Sequence, residues 1–200
     1  MIPSRTQVKF FLDNPETVDS AALASFSRLF QRWIQQHALE GMLIDVADYR
    51  HVFEGPSVVL IGHDSDYAIE KRDGRLGLLF TRKRQVDTDL ATQLRTSLRL
   101  ALAAANLLES EPTFTPTLKF RADEIEIRFL DRLQLPNRPE TFDLVKDDLQ
   151  AVLTELFGTE AVTFAPASQD QRLPFTVDVR SQAAARISEL LHHLQPSVEK

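Results

Sequence analysis

One short phrase occurs twice in this chain, and it constrains the fold more than any other feature of the sequence. Residues 11–19 read Phe-Leu-Asp-Asn-Pro-Glu-Thr-Val-Asp, and residues 129–143 hold Phe-Leu-Asp followed, after an insertion, by Arg-Pro-Glu-Thr-Phe-Asp. Each copy follows an apolar, strand-like run and precedes a long amphipathic segment. The repeat therefore predicts two related halves, in each of which a strand leads through a turn into a helix. A chance similarity of two strand–turn–helix units is the alternative.

Each residue type in the phrase has a structural role between a strand and a helix. The aspartate after Phe-Leu can accept hydrogen bonds from its own loop, and the proline fixes φ at a helix start. The glutamate suits the positive N-terminal end of a helix. A functional alternative treats the two helix N-termini as symmetric anion sites. Glu16 and Glu140 would repel an anion at those positions, so we favour the structural interpretation.

Hydrophobic periodicity predicts the elements of both halves. In the first half we expect strands at 8–12, 42–46, 58–61, 67–71 and 76–81, a hairpin turn at 72–75, a helix at 17–38 capped by Asn14 or Thr17, and a helix at 87–108 capped by Asp87. In the second half we expect strands at 118–120, 125–130, 161–165 and 175–180, a turn at 122–123, a helix at 141–157, and a last helix from a cap at Ser181 to Pro196. Residues 110–117 contain two prolines and form the predicted linker.

The order of these elements resembles the βαββαβ pattern of ferredoxin-like domains, with an extra hairpin in the first half and no final strand in the second. We therefore predict the α+β class, with two related ferredoxin-like halves of βαββα type, antiparallel sheets and helices on one face. The first half spans 1–110 and the second spans 117–196. One compact domain with an internal duplication is the alternative. A fold resemblance of this kind carries no function.

Composition opposes several classes of function. The 200 residues contain no cysteine, which rules out disulfides, thiolate metal ligands and cysteine nucleophiles. The formal net charge of −6 opposes general nucleic-acid binding. Apolar runs are far shorter than the about 20 residues of a membrane span, and the N-terminus lacks the pattern of a signal peptide. We expect a soluble, cytoplasmic protein that binds neither nucleic acid nor membranes.

The sequence also lacks the motifs of common catalytic and cofactor sites. No phosphate-binding glycine loop, zinc-protease motif or serine-hydrolase motif occurs, so we predict no cofactor and favour a protein that is not an enzyme. The densest polar region, from Asp45 to Tyr67, holds two histidines and several carboxylates. If 42–46 and 58–61 pair antiparallel, its two loops lie about 15 Å apart. One metal ion cannot bridge that distance, and we predict no metal site.

The same antiparallel pairing predicts one candidate site, at the end of the sheet where the 48–56 loop meets the 72–75 turn. The catalytic candidates are His51 as a general base with Asp48 or Tyr49 nearby, and the ligand-binding candidates are Arg50, Arg72 and Arg75. A solvated loop rim with surface ion pairs is the alternative. At the opposite end, Asp64 and Asp66 should lie beside the single basic triplet, residues 82–84, and neutralise it.

Two functions remain after these exclusions. The leading hypothesis is a non-enzymatic binding or regulatory protein that acts through a protein partner or a homodimer, using exposed sheet edges or helix faces. The alternative is a small-ligand-binding module or an acid–base enzyme with its site around residues 48–51 and Arg72. In either case, the 45–75 region is where we expect a specific activity, because the second half lacks an equivalent of it.

Overall fold

Eight strands and four α-helices make up the architecture of the residues that the structure describes. The computed structural model describes residues 3–52, 55–84, 89–158, 162–182 and 185–195. The strands are β1 (Thr6–Leu12), β2 (Leu43–Asp48), β3 (Pro56–Gly62), β4 (Ser65–Glu70), β5 (Gly77–Arg82), β6 (Phe120–Phe129), β7 (Val162–Pro166) and β8 (Phe175–Ser181). The helices are α1 (Ser20–Gln36), α2 (Leu90–Glu109), α3 (Pro139–Phe157) and α4 (Ile187–His193). None of these helices is long and apolar enough to cross a membrane.

All eight strands form one antiparallel sheet in the order β2-β3-β4-β5-β1-β6-β8-β7. β1 is paired on both sides, since Thr6 lies opposite Arg82 of β5 and opposite Phe129 of β6. The α+β class and the antiparallel pairing are confirmed. The expectation of a sheet for each half is corrected to one continuous sheet, because the first strands of the two halves, β1 and β6, hydrogen-bond to each other.

The helices pack on one face of this sheet. Val8 and Phe10, alternate residues of β1, are fully buried against the helical layer. α2 runs beside β1 and β5 and buries Leu94, Leu98 and Leu102, which are spaced four residues apart. Residues with this spacing share one side of a helix, so the apolar stripe predicted for α2 is confirmed and forms part of the core.

The two copies of the repeated phrase form different local structures. In the first copy, Pro15–Thr17 forms a 3₁₀ turn, and α1 begins only at Ser20. The carboxylate of Asp19 accepts the N–H of Ala22 at 2.8 Å and caps α1. In the second copy the same Pro-Glu-Thr letters form the first turn of α3 itself, which begins at Pro139. Arg138, the residue before this proline, is still extended, so the helix starts at the proline itself.

Asn14 joins the two halves and does not cap α1. Its side-chain Nδ2 donates to the carbonyl oxygen of Thr117 at 2.9 Å, and its Oδ1 accepts the N–H of Lys119 at 2.9 Å. The prediction of Asn14 or Thr17 as the cap of α1 is therefore wrong. The predicted linker, residues 110–117, also packs against α1, since the ring centroids of Phe114 and Phe26 are 4.6 Å apart.

Two further sequence predictions are corrected in the second half. The turn expected at 122–123 is absent, because β6 is one strand from Phe120 to Phe129; that position instead holds a register shift in the β1–β6 pairing, and β8 pairs with β6 only from Glu124 onward. Ser181 does not cap a helix, since it ends β8 opposite Val162, and α4 begins at Ile187. In the first half, the predicted cap Asp87 lies outside the described residues, and the described cap of α2 is Asp89.

Candidate functional site

The predicted site residues 48–51 lie at the end of the sheet that the sequence assigned to them. Asp48 pairs with Val58, Val58 pairs with Ile69, and Ile69 pairs with Leu78. The β2–β3 and β4–β5 connections therefore leave the sheet at the same end. At the other end, Lys83 lies 2.7 Å from Asp66 and Arg84 lies 3.9 Å from Asp64. The predicted pairing of the acidic turn with the basic triplet is confirmed.

At the first end, Asp48 and Arg50 bind each other at the protein surface. Arg50 Nε lies 2.9 Å from both carboxylate oxygens of Asp48, and the backbone N–H of Arg50 donates to the same carboxylate at 3.1 Å. These hydrogen bonds lower the pKa of Asp48 to about 2. Asp48 is therefore ionised at neutral pH and cannot serve there as a general acid, and the Arg50 guanidinium already has a carboxylate partner.

The remaining catalytic candidates, Tyr49 and His51, lie on the same exposed loop. Their ring centroids are 6.4 Å apart, and no hydrogen bond joins these two side chains. A role for His51 as a general base stays a prediction. Among the described residues, no three histidine or carboxylate side chains converge as the ligands of a metal ion would.

Arg72 and Arg75 lie beside the second face of the sheet, on the side away from the helices. The Arg75 guanidinium lies 3.5 Å from the centroid of the Phe11 ring and binds both carboxylate oxygens of Glu124, at 3.1 and 2.8 Å. Arg75 is thus held between an aromatic ring and a carboxylate. Arg72 makes no ion pair with any residue that the structure describes, so its guanidinium is open to a ligand.

This second face carries a charged cluster formed by Lys9, Glu70, Glu126 and Arg128. Lys9 Nζ binds the Glu70 carboxylate and also donates to the carbonyl oxygen of Arg75 at 2.8 Å. Arg128 binds the Glu126 carboxylate and lies 3.4 Å from Glu70. Lys9 is only 1% exposed, and its Nζ bonds to Glu70 of β4 and to the carbonyl oxygen of Arg75, which follows the 3₁₀ turn at 72–74.

Burial and pairing shift the pKa values of this cluster. Burial lowers the pKa of Lys9, although the hydrogen bond and charge of Glu70 act in the opposite direction. Burial alone would raise the pKa of Glu70, but the hydrogen bond from Lys9 and the nearby Arg128 guanidinium outweigh it and lower that pKa. Glu70 is therefore a carboxylate at neutral pH, held between two cationic side chains.

Sequence reasoning missed the charged cluster, although one signal pointed to it. Residues 124–129 read Glu-Ile-Glu-Ile-Arg-Phe, a strict alternation of charged and apolar residues. Such alternation predicts a strand with one charged face. No sequence pattern predicted that these charged side chains would be buried, because Lys9, Glu70 and Arg128 come from three separate strands.

A cleft opens beside the charged cluster, and we call it the β6 cleft. It has a volume of about 390 Å³. Arg72 and Asp73 line it from the β4–β5 turn, Glu126 and Arg128 line it from β6, and Ser168 lies on the β7–β8 connection. Of the predicted site residues, Arg72 lines this cleft, while Asp48, Tyr49, Arg50 and His51 lie on the neighbouring loop and are not among its lining residues.

Exposed apolar side chains mark the edge strand β2. Met42 just before β2, Ile44 within it, and Tyr49 and Val52 on the loop after it are exposed, and we call these four residues the β2 edge. Met42 is 67% exposed and Ile44 is 54% exposed. Ile44 lies at an irregularity in the β2–β3 pairing, where Leu43 and Asp45 oppose consecutive residues of β3.

Comparison with protein-family models, curated proteins and solved structures found no match to this chain. The β2 edge and the β6 cleft are the two surface features of the described residues that suggest a function.

Proposed function

We propose that this chain is a non-enzymatic binding or regulatory protein that pairs with a second copy of itself through the β2 edge. The observation that carries this proposal is the concentration of apolar side chains there. Among the described residues, seven large apolar side chains are exposed, and four of them belong to the β2 edge. Contiguous exposed apolar surface is typical of contact sites, whereas isolated apolar residues are ordinary.

A second copy is the partner that fits this patch most simply. A two-fold contact buries the same patch on both copies at once. Asp48 and Arg50 form an ion pair at 2.7 Å, so the charged pair nearest Tyr49 needs no partner from the other copy.

The contact uses side chains rather than the addition of a strand. Tyr49 donates its N–H to Ser57 of the adjoining chain segment at 2.8 Å. Because backbone groups alternate along an antiparallel ladder, Val46 and Asp48 turn theirs outward. The Asp45 carboxylate already accepts the N–H of Val46 at 2.7 Å. An occupied donor weakens this edge as a template for another strand.

Sedimentation velocity over a range of protein concentrations tests the proposal. We expect the wild type to dimerise and the Ile44→Glu variant to stay monomeric, because a carboxylate would be buried in the contact. Leu133→Glu is the matched control, since Leu133 is 98% exposed and lies outside the β2 edge. A wild type that is monomeric at every concentration, or equal dissociation by both variants, would show the proposal to be wrong. Circular dichroism confirms that each variant is folded.

A second function, binding of a small polar ligand, is supported by the β6 cleft. The cleft has a volume within the range of about 300–1,000 Å³ that is usual for ligand sites. It also contains the open guanidinium of Arg72. Acid–base catalysis at His51 stays a prediction, and so do the cytoplasmic location and the absence of nucleic-acid binding.

We also propose that the two halves descend from one ferredoxin-like unit. In the second half, β6 and β7 flank β8, which is the strand order of a split βαβ unit. In the first half, β1 likewise lies beside the last strand of its half, β5. Superposition of β1, α1, β4, β5 and α2 on β6, α3, β7, β8 and α4 in an experimental structure tests this. Helices α1 and α3 that cross the sheet in different directions would contradict it.

A further inference from the structure

We infer that the β6 cleft binds a small zwitterion of the class of free α-amino acids. The inference rests on the ligand-binding function proposed for this cleft, and it names the chemistry of the ligand. The ligand carboxylate would lie against the guanidinium of Arg72, and the ligand ammonium would lie against the carboxylates of Asp73 and Glu126.

The charges that line the cleft balance each other. Arg72 and Arg128 supply two guanidinium groups, and Asp73 and Glu126 supply two carboxylates. A simple anion would meet two carboxylates in this space, and a simple cation would meet two guanidinium groups. Both arrangements are unfavourable where solvent is partly excluded. A molecule that carries one charge of each sign has a partner for both.

Two of these groups are open to a ligand. Arg72 and Asp73 make no ion pair or side-chain hydrogen bond with any residue that the structure describes. Both lie on the 3₁₀ turn at 72–74 and are exposed residues that line the cleft. The guanidinium fork of an arginine binds a carboxylate through two parallel hydrogen bonds, which suits Arg72 as the contact for the ligand carboxylate.

The other two charges form a fixed floor. Arg128 is 5% exposed and is held by Glu126 and Glu70, while Glu70 is held by Lys9. These ion pairs set the positions of the floor charges before a ligand arrives, and preorganised charges bind with a smaller loss of conformational freedom. A buried charged cluster is weak as a source of stability, whereas it is effective at holding charged groups in place.

A polar and an apolar wall complete the cleft. Ser168 accepts the N–H of Asp170 at 3.1 Å through its hydroxyl oxygen, which leaves its hydroxyl hydrogen available as a donor. Leu173 and Pro174 line the same cleft from the β7–β8 connection. This wall suits an apolar side chain on the ligand, so the aliphatic amino acids are the best candidates within the class.

Isothermal titration calorimetry with the standard free L-amino acids, succinate and 1,4-diaminobutane tests the inference on the full chain. We expect at least one amino acid to bind, and its N-acetyl and carboxamide derivatives to bind about tenfold or more weakly, because each lacks one charge. Binding of succinate or 1,4-diaminobutane without any amino acid would retain a ligand site but overturn the zwitterion. Absence of binding by every compound would overturn both the zwitterion and the ligand-binding function.

Variants of the two open residues locate the binding. Arg72→Gln and Asp73→Asn should each weaken amino-acid binding about tenfold or more. Asparagine suits position 73 because the φ of Asp73 is 55°, a conformation that asparagine tolerates. Arg28→Gln is the matched control, since Arg28 lies exposed on α1, on the helical side of the sheet. Wild-type affinity in both cleft variants would place the binding elsewhere and overturn the inference.

Discussion

The two faces of the sheet bury their residues by different means, and neighbouring residues of β1 show the contrast. Phe10 is fully buried among apolar side chains of the helical layer. Lys9 is 1% exposed on the opposite face, where its charge is met by Glu70 and by the carbonyl oxygen of Arg75. The same depth of burial is thus reached once by excluding water from apolar surface and once by compensating charges.

The two faces of the sheet contribute differently to the free energy of folding and to the positions of charged groups. Burial of apolar surface contributes about 25 cal/mol per Å², so the helical face supplies the driving force of folding. A buried ion pair loses about as much in desolvation as its attraction returns, and apolar residues of similar volume are often equally stable. The charged face therefore contributes fixed positions for charged groups more than it contributes stability.

The largest expected effects come from truncating either neighbour on β1. Phe10→Ala removes a buried ring and leaves a cavity, and it should cost about 3–5 kcal/mol. Lys9→Ala leaves the Glu70 carboxylate buried without its closest cation, and it should cost about 3–5 kcal/mol. Urea denaturation measures both values. A loss below about 1 kcal/mol for Lys9→Ala would mean that Lys9 is not buried as described.

A matched pair of leucines on β5 tests the two faces without any change of charge. Leu78 is fully buried on the helical face, and Leu79 is nearly buried on the charged face between Ala68 and Lys9. Leu78→Ala should cost about 3–5 kcal/mol. Leu79→Ala should cost about 1–2 kcal/mol, because the flexible stem of Lys9 can fill the gap. Equal losses in thermal or urea denaturation would contradict the distinction.

The pH dependence of stability should report the charged face through Glu70. The pKa of Glu70 is lowered from its ordinary value of 4.5, so its stabilisation is complete above pH 4.5 and is lost as the pH falls through the lower, folded-state value. Glu70→Gln should cost about 1.5–3 kcal/mol at pH 7, and this gap should narrow in acid. Denaturation of both proteins from pH 7 to pH 3 measures the gap.

Glu155 supplies the control for that experiment. It binds Arg95 at 2.7 Å on the exposed side of the helical layer. Because exposed ion pairs contribute about 0–1 kcal/mol, Glu155→Gln should lower stability only slightly at any pH. A constant gap for Glu70→Gln between pH 7 and pH 3 would show that ionisation of Glu70 does not stabilise the fold.

The smallest expected change in stability comes from a double variant, and it tests the charged face most directly. Replacing Lys9 and Glu70 together, by methionine and leucine, should leave stability within about 1 kcal/mol of the wild type, because both charges are removed at once. No comparable second substitution should rescue Phe10→Ala. A loss for the double variant as large as that for Lys9→Ala would mean that the ion pair itself stabilises the fold.

Elements with strong local signals were predictable from the sequence. The stripe of Leu94, Leu98 and Leu102 predicted α2, and the Asp-Gly turn predicted the hairpin between β4 and β5. Elements that depend on a distant partner were not. The turn expected at 122–123 falls inside the single strand β6, at a register shift in its pairing with β1, where Phe10 lies opposite Ile125 and Leu12 lies opposite Phe120.

The repeated phrase shows the same limit within a single pattern. Its letters predicted a strand followed by a helix, and both copies have that order. The start of the helix differs, however, because Asp19 caps α1 after a separate 3₁₀ turn, whereas Pro139 begins α3 directly. The letters of the phrase alone therefore do not fix the residue at which each helix begins.

The candidate site was predictable in part for a related reason. Antiparallel pairing of neighbouring strands placed residues 48–51 and the 72–75 turn at one end of the sheet, and the register agrees. The charges that line the β6 cleft were missed because they come from chain segments far apart in sequence. Arg72 was a candidate from the start, but its neighbours Glu126 and Arg128 belong to the other half.

The sequence by itself determined the α+β class, the amphipathic helices and the alternation that gives β6 one charged face, because these depend on periodicities within a few residues. Tertiary structure alone decided that β1 and β6 join both halves into one sheet, and that Lys9 lies as deep as Phe10. Burial depends on which distant segments come to cover a residue, and a local pattern of apolar and charged letters does not contain that information.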